Sequence, residues 1–348
     1  MRILILANDY SAKVMYDYFC KDKENIVFSL CDNCNKVDFL SQDDIVEFVE
    51  ANAINFILIT DEKYIEDDLT DKFNKFDCCV FSPCQDAVEI IKSKSYAKKF
   101  MYKNKIPTTE FQVFEKAQVA LDYIKNLNHP VAIKPEQHNF KERTYFCDTR
   151  QKCFQKINEL FYNGNEKIVI EEYVEGKNIT LWALTDGFSS KMLGICAKYQ
   201  DEISYFEPEF IDENMKNVLI QDVVNPTINA LSLQESEFVG VLGFDLILDK
   251  KGEFKLLGYK NFFDDLDIEF FLKAYDVDWL DVFNSTIRGD VFLKFDVEKR
   301  HDEYMLSFRE GNSVNLLSAK TMSNLELYLK QENFDYSCFE EARKIWNS

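Results

Sequence analysis

Hydrophobic and polar positions alternate with strand and helix periods along most of the chain. In the first hundred residues, short apolar runs are separated by amphipathic stretches. The runs RILILAN, NIVFSLC, INFILIT and CCVFSP predict strands, and SAKVMYDYFCK and DDIVEFVEANA predict helices. A further helix is predicted from about Gln85 to Asn104, ahead of Pro107. This alternation is typical of a small α/β layer with a parallel sheet.

The pattern then changes to mixed helices and strands. The stretches EKAQVALDYIKNL and TRQKCFQKINELFYN predict helices, and HPVAIKP, KERTYFCD and EKIVIEEYVEG predict strands. The turn at Asp186–Gly187 predicts an antiparallel pair, NITLWALTDG with KMLGICAKYQ, which we group with this second unit. A third unit contains NMKNVLIQDVVNPTINAL as a helix, FVGVLGFDLILD and EFKLLGY as strands, and IEFFLKAYDVDWLDVFNSTI as a helix.

Composition narrows the classes of partner. The 348 residues carry 41 basic and 61 acidic side chains, and the net charge of -20 disfavours a nucleic-acid partner. No apolar run reaches the length of a membrane span, and the N-terminus resembles a first strand, so we expect a cytoplasmic protein. There are only 10 glycines, about 3% against a typical ~7%, which is unusual for an enzyme that cradles phosphates.

Ten cysteines fit a reducing compartment as free thiols. The pair Cys31 and Cys34 and the group Cys78, Cys79 and Cys84 leave a shared zinc ion open. A second Cys-x-x-Cys and a nearby histidine are both missing, so buried or idle thiols are the favoured interpretation.

Several longer strings occur in a recognisable order. They are SKSYAKKFMYKNKIPTTEF (93–111), VAIKP (131–135), IVIEEYVEGKNITLWALTDG (168–187), FVGVLGFDLILDKKGEFKLL (238–257) and DDLDIEFFLKAYDVDWLDVF (264–283). Together they resemble the ATP-grasp ligases, and more narrowly the phosphoribosylamine–glycine ligases of purine synthesis. Such enzymes phosphorylate a carboxylate with ATP, after which an amine attacks the acyl phosphate.

The resemblance implies an α/β and α+β multidomain chain with an ATP-grasp fold and an N-terminal Rossmann-like (pre-ATP-grasp) domain. The implied bounds are 1–105 for the N-terminal domain, 106–190 for the lid, 191–300 for the ATP-grasp core and 301–348 for a shortened C-terminal segment.

By the same resemblance, the nucleotide-binding positions are partly kept. Lys94 and Lys134 match the phosphate-binding lysines, while Glu171, Glu172 and Val174 match the adenine hinge. Asn178 stands where the family places a ribose-binding Glu. A nucleotide is therefore a possible ligand, with ATP and Mg²⁺ as the implied cofactors.

The metal positions are less well kept. Asp245 and Asp265 match carboxylates of the family site, but Gly258 and Lys260 replace the Glu and Asn that would hold magnesium. A lysine has no lone pair at neutral pH and repels a cation. The aspartates 264, 265 and 267 leave two interpretations open, a relocated metal site or a solvated helix cap, and the cap is favoured.

The loops that would hold phosphate and substrate also differ from the family. The flap EQHNFKERTYF contains no glycine, although Lys141 and Arg143 remain as cations, and the family's glycine-rich segment before the next helix is missing around DEISYFEPEF. Phe262 stands where an Arg would hold the glycine carboxylate. Three first-domain substrate positions are kept, namely Asn8, Asn33 and Glu62, while Asp9 replaces a phosphate-binding glycine.

Two functions therefore remain open. The first is a ligase-like protein that has lost catalysis and serves a binding, regulatory or scaffold role, with a protein partner possible. The alternative is an active ATP-dependent carboxylate–amine ligase with an altered metal site and another substrate.

Overall fold

The fold is known from a computed structural model, and its strands form three sheets. The structure describes residues 1–65, 69–74, 76, 78–127, 130–136, 144–290, 304–311, 313–331 and 336–347. Among these residues, no helix combines the length and the apolar character that a membrane crossing requires.

The N-terminal unit is a four-stranded parallel sheet. Its strands are β1 (Arg2–Leu6), β2 (Ile26–Ser29), β3 (Phe56–Ile59) and β4 (Cys79–Phe81), in the order β2-β1-β3-β4. Its helices are α1 (Tyr10–Phe19), α2 (Gln42–Ala51), α3 (Leu69–Asn74), α4 (Gln85–Lys92) and α5 (Lys94–Lys103). Ile3 of β1 pairs with Val27 on one side and Phe56 on the other, and it has no exposed surface. The predicted parallel α/β layer is confirmed.

The second unit is a small antiparallel sheet with two helices. It comprises β5 (Phe111–Phe114), α6 (Ala117–Lys125), β6 (Val131–Pro135), β7 (Tyr145–Cys147), α7 (Arg150–Tyr162) and β8 (Ile168–Glu172), with strand order β5-β8-β6-β7. Ile124 of α6 and Ile157 of α7 pack with Ile133 and Ile170 of the sheet. The helices thus cover the apolar side of the sheet.

The third unit is a seven-stranded antiparallel sheet. Its strands are β9 (Gly176–Asp186), β10 (Ser190–Tyr199), β11 (Ile203–Phe206), β12 (Val239–Asp249), β13 (Phe254–Asn261), β14 (Tyr304–Glu310) and β15 (Ser313–Ala319), in the order β13-β12-β9-β10-β11-β14-β15. The helices are α8 (Glu213–Leu219), α9 (Asn225–Ser232), α10 (Ile268–Ala274), α11 (Trp279–Ile287), α12 (Met322–Gln331) and α13 (Tyr336–Asn347).

The predicted turn at Asp186–Gly187 is confirmed, but its strands lie in a different sheet from the one expected. Asp186 accepts hydrogen bonds from the amides of Phe188 and Ser189, and Gly187 has a φ of 94°. The hairpin strands β9 and β10 pair with β12 and β11, so they belong to the seven-stranded sheet. We accordingly propose a lid of residues 106–175 in place of 106–190.

Three predicted helices are interrupted. The helix expected from Gln85 to Asn104 is two helices, because Ser93 is extended and caps α5 by accepting from the amide of Tyr96. Between α8 and α9 the backbone widens into a π-helical turn, Ile220–Val224. The last predicted helix breaks after Ala274, and Asp278 caps α11.

Side-chain hydrogen bonds join the first unit to the end of β13 and to the segment that follows it. Asn261 donates to the carbonyl of Thr60 at 2.9 Å, and the buried Ser11 donates to the carbonyl of Phe263 at 2.9 Å. The ring of Phe263 also stacks on Phe271, with centroids 4.4 Å apart. The end of β13 and the residues after it are therefore held by the first unit and by α10.

The contact between Gly243 of β12 and Trp182 of β9 provides a test of the packing. A Cβ at Gly243 would lie 2.4 Å from Cζ3 of the fully buried Trp182 ring. We expect Gly243→Ala to lower the free energy of unfolding by about 1–3 kcal/mol, because the indole must shift in a filled core. Urea denaturation measures the change.

Gly258 of β13 is the matched control, since a Cβ there meets nothing within 4 Å. Gly258→Ala should change the free energy of unfolding by no more than about 1 kcal/mol. Equal losses for both variants would contradict the proposed contact.

Candidate functional site

A buried carboxylate, Glu171 of β8, joins the lid to the rest of the protein. Its Oε1 lies 2.7 Å from Nζ of Lys134 on the neighbouring strand β6, and its Oε2 lies 2.8 Å from Nζ of Lys98 on α5. Thr109 Oγ1 donates to Oε2 at 2.5 Å. Lys134 also donates to the carbonyl of Leu257 on β13 at 3.1 Å. Three elements outside β8 thus converge on one carboxylate.

The charges of this cluster compensate one another. Burial disfavours ionisation of Glu171, but Lys134 and Lys98 outweigh it and lower the pKa of Glu171 to about 2. Burial lowers the pKa of Lys98 to about 8, against the attraction of Glu171. Glu171 and Lys98 are 2% and 1% exposed, so the attraction acts away from water.

Lys98 was missed in the sequence. It lies three residues after Ser95 and three before Met101, which are both buried, and this spacing places it on the inner face of α5. Its ammonium donates to both threonines of the turn before β5, Thr108 at 2.9 Å and Thr109 at 2.8 Å. Its spacing of three residues from Ser95 and Met101 was the signal that could have identified Lys98 as a buried residue.

Lys94, the other matched lysine, is the first residue of α5 and is half-buried. The amide of Ser95 donates to Glu136 Oε2 at 2.9 Å, and the hydroxyls of Ser93 and Ser95 donate to Oε1 of the same carboxylate. A helix N-terminus favours an anion. Here the carboxylate of Glu136 takes the place of such an anion at the N-terminus of α5.

The remaining nucleotide-binding candidates follow β8. Glu172 is half-buried, lies 2.8 Å from Lys255 Nζ, and accepts from the amide of Glu110. Val174 is half-buried in the connection to β9, and Asn178 is exposed on β9. These side chains and Glu171 therefore lie along one segment, although the side chain of Glu171 points to the two lysines. The flap cations Lys141 and Arg143 lie outside the described residues.

A second charged cluster lies where the resemblance placed magnesium. Nζ of Lys260 is 3.0 Å from Asp245 Oδ1 and 3.0 Å from Asp264 Oδ2. Asp245 also accepts from Thr180 Oγ1 at 2.8 Å. Burial disfavours the charge on Lys260, yet attraction by Asp245 and Asp264 outweighs burial and raises the pKa of Lys260 above its usual value. An ammonium group thus bridges the two carboxylates.

Lys198 of β10, which the sequence did not single out, continues this cluster. Its Nζ lies 3.0 Å from Asp264 Oδ1 and 2.5 Å from Asp267 Oδ1. Burial opposes ionisation of Asp264, but Lys198 and Lys260 lower the pKa of Asp264 below its usual range. Nothing in the sequence indicates that Lys198 belongs to this cluster, because its carboxylate partners lie more than sixty residues away along the chain.

The favoured interpretation of Asp267 as a solvated helix cap is wrong. Asp267 precedes α10, but its side chain makes no cap hydrogen bond and has no exposed surface. Instead it accepts from Trp182 Nε1 at 2.7 Å and from Ser204 Oγ at 2.5 Å. Burial raises the pKa of Asp267, and repulsion by Asp264 acts in the same direction.

These carboxylates do not fit a divalent cation as they are placed. Asp245 and Asp264 already hold Lys260, and Gly258 supplies no ligand. Asp265 is turned to Arg309, with 3.3 Å between Oδ2 and Nη2. Within the described part of the chain, no three His, Cys, Asp or Glu side chains are grouped so that they could hold a metal ion. The same holds for the described cysteines, which form no such group.

The substrate candidates of the first unit share one edge of its sheet. Asn8, Asn33 and Glu62 follow β1, β2 and β3, which are adjacent, so they lie at the carboxyl ends of neighbouring strands. Asp9 lies within electrostatic reach of Glu62, Asp61 and Asp265, and its carboxylate caps α1 at the amide of Ala12. This edge is therefore acidic, which disfavours a phosphate.

Phe262 does not face the site. It is 3% exposed, its φ is 64°, and its ring packs against Phe263 and Phe283. An aromatic core thus takes the place that the resemblance gave to a substrate-binding Arg.

The fold and the site together define an ATP-grasp protein. It has a parallel N-terminal sheet, a small lid and a large antiparallel sheet, and Lys98, Lys134 and Glu171 lie where the lid meets the rest of the chain. The sequence model of the family "Phosphoribosylglycinamide synthetase, ATP-grasp (A) domain" matches residues 92–268, just over half of the chain. The chain belongs to this family.

Curated relatives agree with this assignment. The chain is similar to phosphoribosylamine–glycine ligase of Fusobacterium nucleatum, with 25% identity over 316 residues, covering 85% of this chain and 74% of the relative. The enzyme of the same name from Clostridium acetobutylicum is 23% identical over 308 residues, covering 82% and 70%.

Solved structures share the fold. Phosphoribosylamine–glycine ligase from Thermotoga maritima aligns with a TM-score of 0.77 at 16% identity, covering 95% of this chain and 96% of the other. A biotin carboxylase–β,γ-ATP complex from Campylobacter jejuni aligns with a TM-score of 0.71 at 14% identity, covering 88% and 75%.

Asp267 and Asp265 make a matched pair for measuring the buried network. We expect Asp267→Asn to lower the free energy of unfolding by about 3–5 kcal/mol, because Lys198 then loses its fully buried carboxylate partner. Asp265→Asn, at a half-exposed ion pair, should cost no more than about 1 kcal/mol. Urea denaturation of both variants tests the difference, and equal costs would contradict the network.

The Glu171 cluster predicts an acid-dependent loss of stability. The pKa of Glu171 falls from an ordinary 4.5 to about 2 in the folded protein, so the unfolded chain binds the extra proton between these values. This contribution is complete above about pH 4.5 and is lost as the pH falls towards 2.

Urea denaturation between pH 3 and pH 6 compares the wild type with Glu171→Gln, which cannot titrate. The stability advantage of the wild type should shrink as the pH falls below 4.5. An advantage that stays constant over this range would contradict the assignment.

Proposed function

We propose that this member of the phosphoribosylglycinamide synthetase family has lost ligase catalysis and acts by binding, in a regulatory or scaffold role. The observation that carries the proposal is the ammonium of Lys260, which lies 3.0 Å from both Asp245 and Asp264. A lysine supplies positive charge but no coordinating lone pair. A divalent cation would have to displace it.

The balance of charge in this cluster also argues against a bound divalent cation. Three carboxylates, Asp245, Asp264 and Asp267, face two ammonium groups, Lys198 and Lys260. The net charge of the cluster is therefore about -1, and the lysines already supply the compensation that a divalent ion would provide. Because the pKa of Lys260 is raised, it keeps its charge at neutral pH.

The edge of the first sheet supports the same conclusion for substrate. Asp9, Asp61 and Glu62 place negative charge beside the candidate positions Asn8 and Asn33. A phosphorylated amine would be repelled there. The buried Phe262 offers no cation for a carboxylate.

Nucleotide binding without turnover is the retained activity that we favour. Lys134 remains at the boundary between lid and core, and Lys94 remains at the start of α5. The hinge candidates Glu171, Glu172 and Val174, with Asn178, follow one another along a single segment. The ten free thiols suit a cytoplasmic protein, and the net charge of -20 argues against nucleic acid.

An active ATP-dependent carboxylate–amine ligase is the second candidate. Two observations favour it: the curated relatives carry the name phosphoribosylamine–glycine ligase, and the Lys134–Glu171 ion pair is intact. Under this alternative, Asp264, Asp265 and Asp267 would have to release their cationic partners before holding magnesium.

Thermal shift with ATP and ADP, in EDTA and in Mg²⁺, separates the two functions. We expect the nucleotide-induced rise in melting temperature to be the same with and without Mg²⁺, because the carboxylates of Asp245 and Asp264 are already paired with Lys260. Nucleotide at a hundred times its dissociation constant stabilises the folded state by about 2.7 kcal/mol. Lys134→Ala should reduce the shift.

A double variant, Gly258→Glu with Lys260→Asn, restores the family residues and should make the shift depend on Mg²⁺. Gly258→Ala with Lys260→Met is its control, because it removes the ammonium without adding ligands. Release of ADP by the wild type on addition of a carboxylate and an amine, only with Mg²⁺, would establish the ligase alternative instead.

A further inference from the structure

Two cysteines of the lid meet at the junction between β7 and α7. Cys147 is the last residue of β7, and Cys153 is the fourth residue of α7. Both side chains belong to the apolar core of the lid, and they are only 3% and 4% exposed. Both thiols line one cavity, together with Ile124, Leu127, Pro130, Asp148, Thr149 and Arg150.

The surroundings give the two thiols different acidities. The neighbouring Cys153 thiol lowers the pKa of Cys147 against the effect of burial, and the ammonium groups of Lys156 and Lys152 act in the same direction. The neighbouring Cys147 thiol and burial raise the pKa of Cys153. Cys147 therefore ionises first, and Cys153 keeps its proton and stabilises the thiolate.

The other thiols provide the contrast. Burial raises the pKa of Cys31, Cys84 and Cys196, and Cys196 has no exposed surface. Cys20 is exposed and thus accessible to reagents. Among these cysteines, none combines an activating partner thiol with a cavity as Cys147 does.

We propose that Cys147 and Cys153 are a thiol–disulfide exchange site that is oxidised by small-molecule disulfides. The Cys147 thiolate attacks one sulfur of the reagent, forms a mixed disulfide and releases one thiolate. Cys153 then gives up its proton, attacks the sulfur of Cys147 and releases the second thiol. The protein loses two electrons and two protons, and the reagent disulfide becomes two thiols.

This reaction would link the end of β7 covalently to the first turns of α7. Cys147 also pairs with Val131 at the start of β6, the strand that carries Lys134. The disulfide therefore acts on the sheet that carries both Lys134 and Glu171. The proposal does not depend on whether the protein retains catalysis.

Oxidised glutathione and mass spectrometry test the site on the full chain. The reduced protein is treated with oxidised glutathione, free thiols are alkylated, and peptides are mapped without reduction. We expect a peptide pair linked through Cys147 and Cys153, with little glutathione retained on either residue. Cys20 is the internal reference, because its exposed thiol should retain a mixed disulfide.

Variants separate the two roles. Cys153→Ser should lose the cross-link and retain one glutathione on Cys147, and Cys147→Ser should lose both the cross-link and the modification of Cys153. Cys196→Ser is the matched control and should leave the cross-link unchanged.

Three results would overturn the proposal. One is a wild-type protein in which Cys147 reacts more slowly than Cys20, and another is a cross-link between other cysteines. The third is Cys153→Ser without retained glutathione on Cys147. The first two results are measured on the wild type. They can therefore overturn the proposal even if a cysteine variant fails to fold.

Discussion

The large sheet depends on the compensation of one fully buried charge, the carboxylate of Asp267. Trp182 donates to it from β9, Ser204 from β11, and Lys198 holds it from the central strand β10. An ionised carboxylate without such partners would cost several kcal/mol in this interior. The chain therefore has to bring three strands and the start of α10 to a single point, and this requirement fixes how β9, β10 and β11 lie under α10.

The same compensation extends to the place where the family resemblance put magnesium. Asp264 stands between Lys198 and Lys260, and Lys260 extends the alternation of charge to Asp245. Each ammonium bridges two carboxylates, so removing either one leaves a partly buried negative charge without its partner. The arrangement that stabilises the core is thus also the one that opposes magnesium. Structure and proposed function here rest on one network.

The lid is attached by a second network with the opposite balance. One carboxylate, Glu171, faces two lysines, Lys98 and Lys134, so the cluster keeps a net positive charge of about +1. Lys134 also reaches the carbonyl of Leu257, in the strand that carries Lys260. An excess of positive charge between lid and core favours an anion. This is why nucleotide binding is the activity that we propose.

The sequence by itself determined the layered α/β order and the hairpin at Asp186–Gly187, because apolar periodicity and turn residues act locally. The resemblance of several longer strings to the ATP-grasp ligases added the fold. Only the tertiary structure decided that β9 belongs to the large sheet and that Asp267 is buried. It also identified Lys98 and Lys198 as the partners of Glu171 and Asp267. Burial and charge pairing between residues sixty or more positions apart leave no local pattern. An acidic run such as DDLD therefore looks the same in sequence whether its side chains are solvated or buried against a sheet.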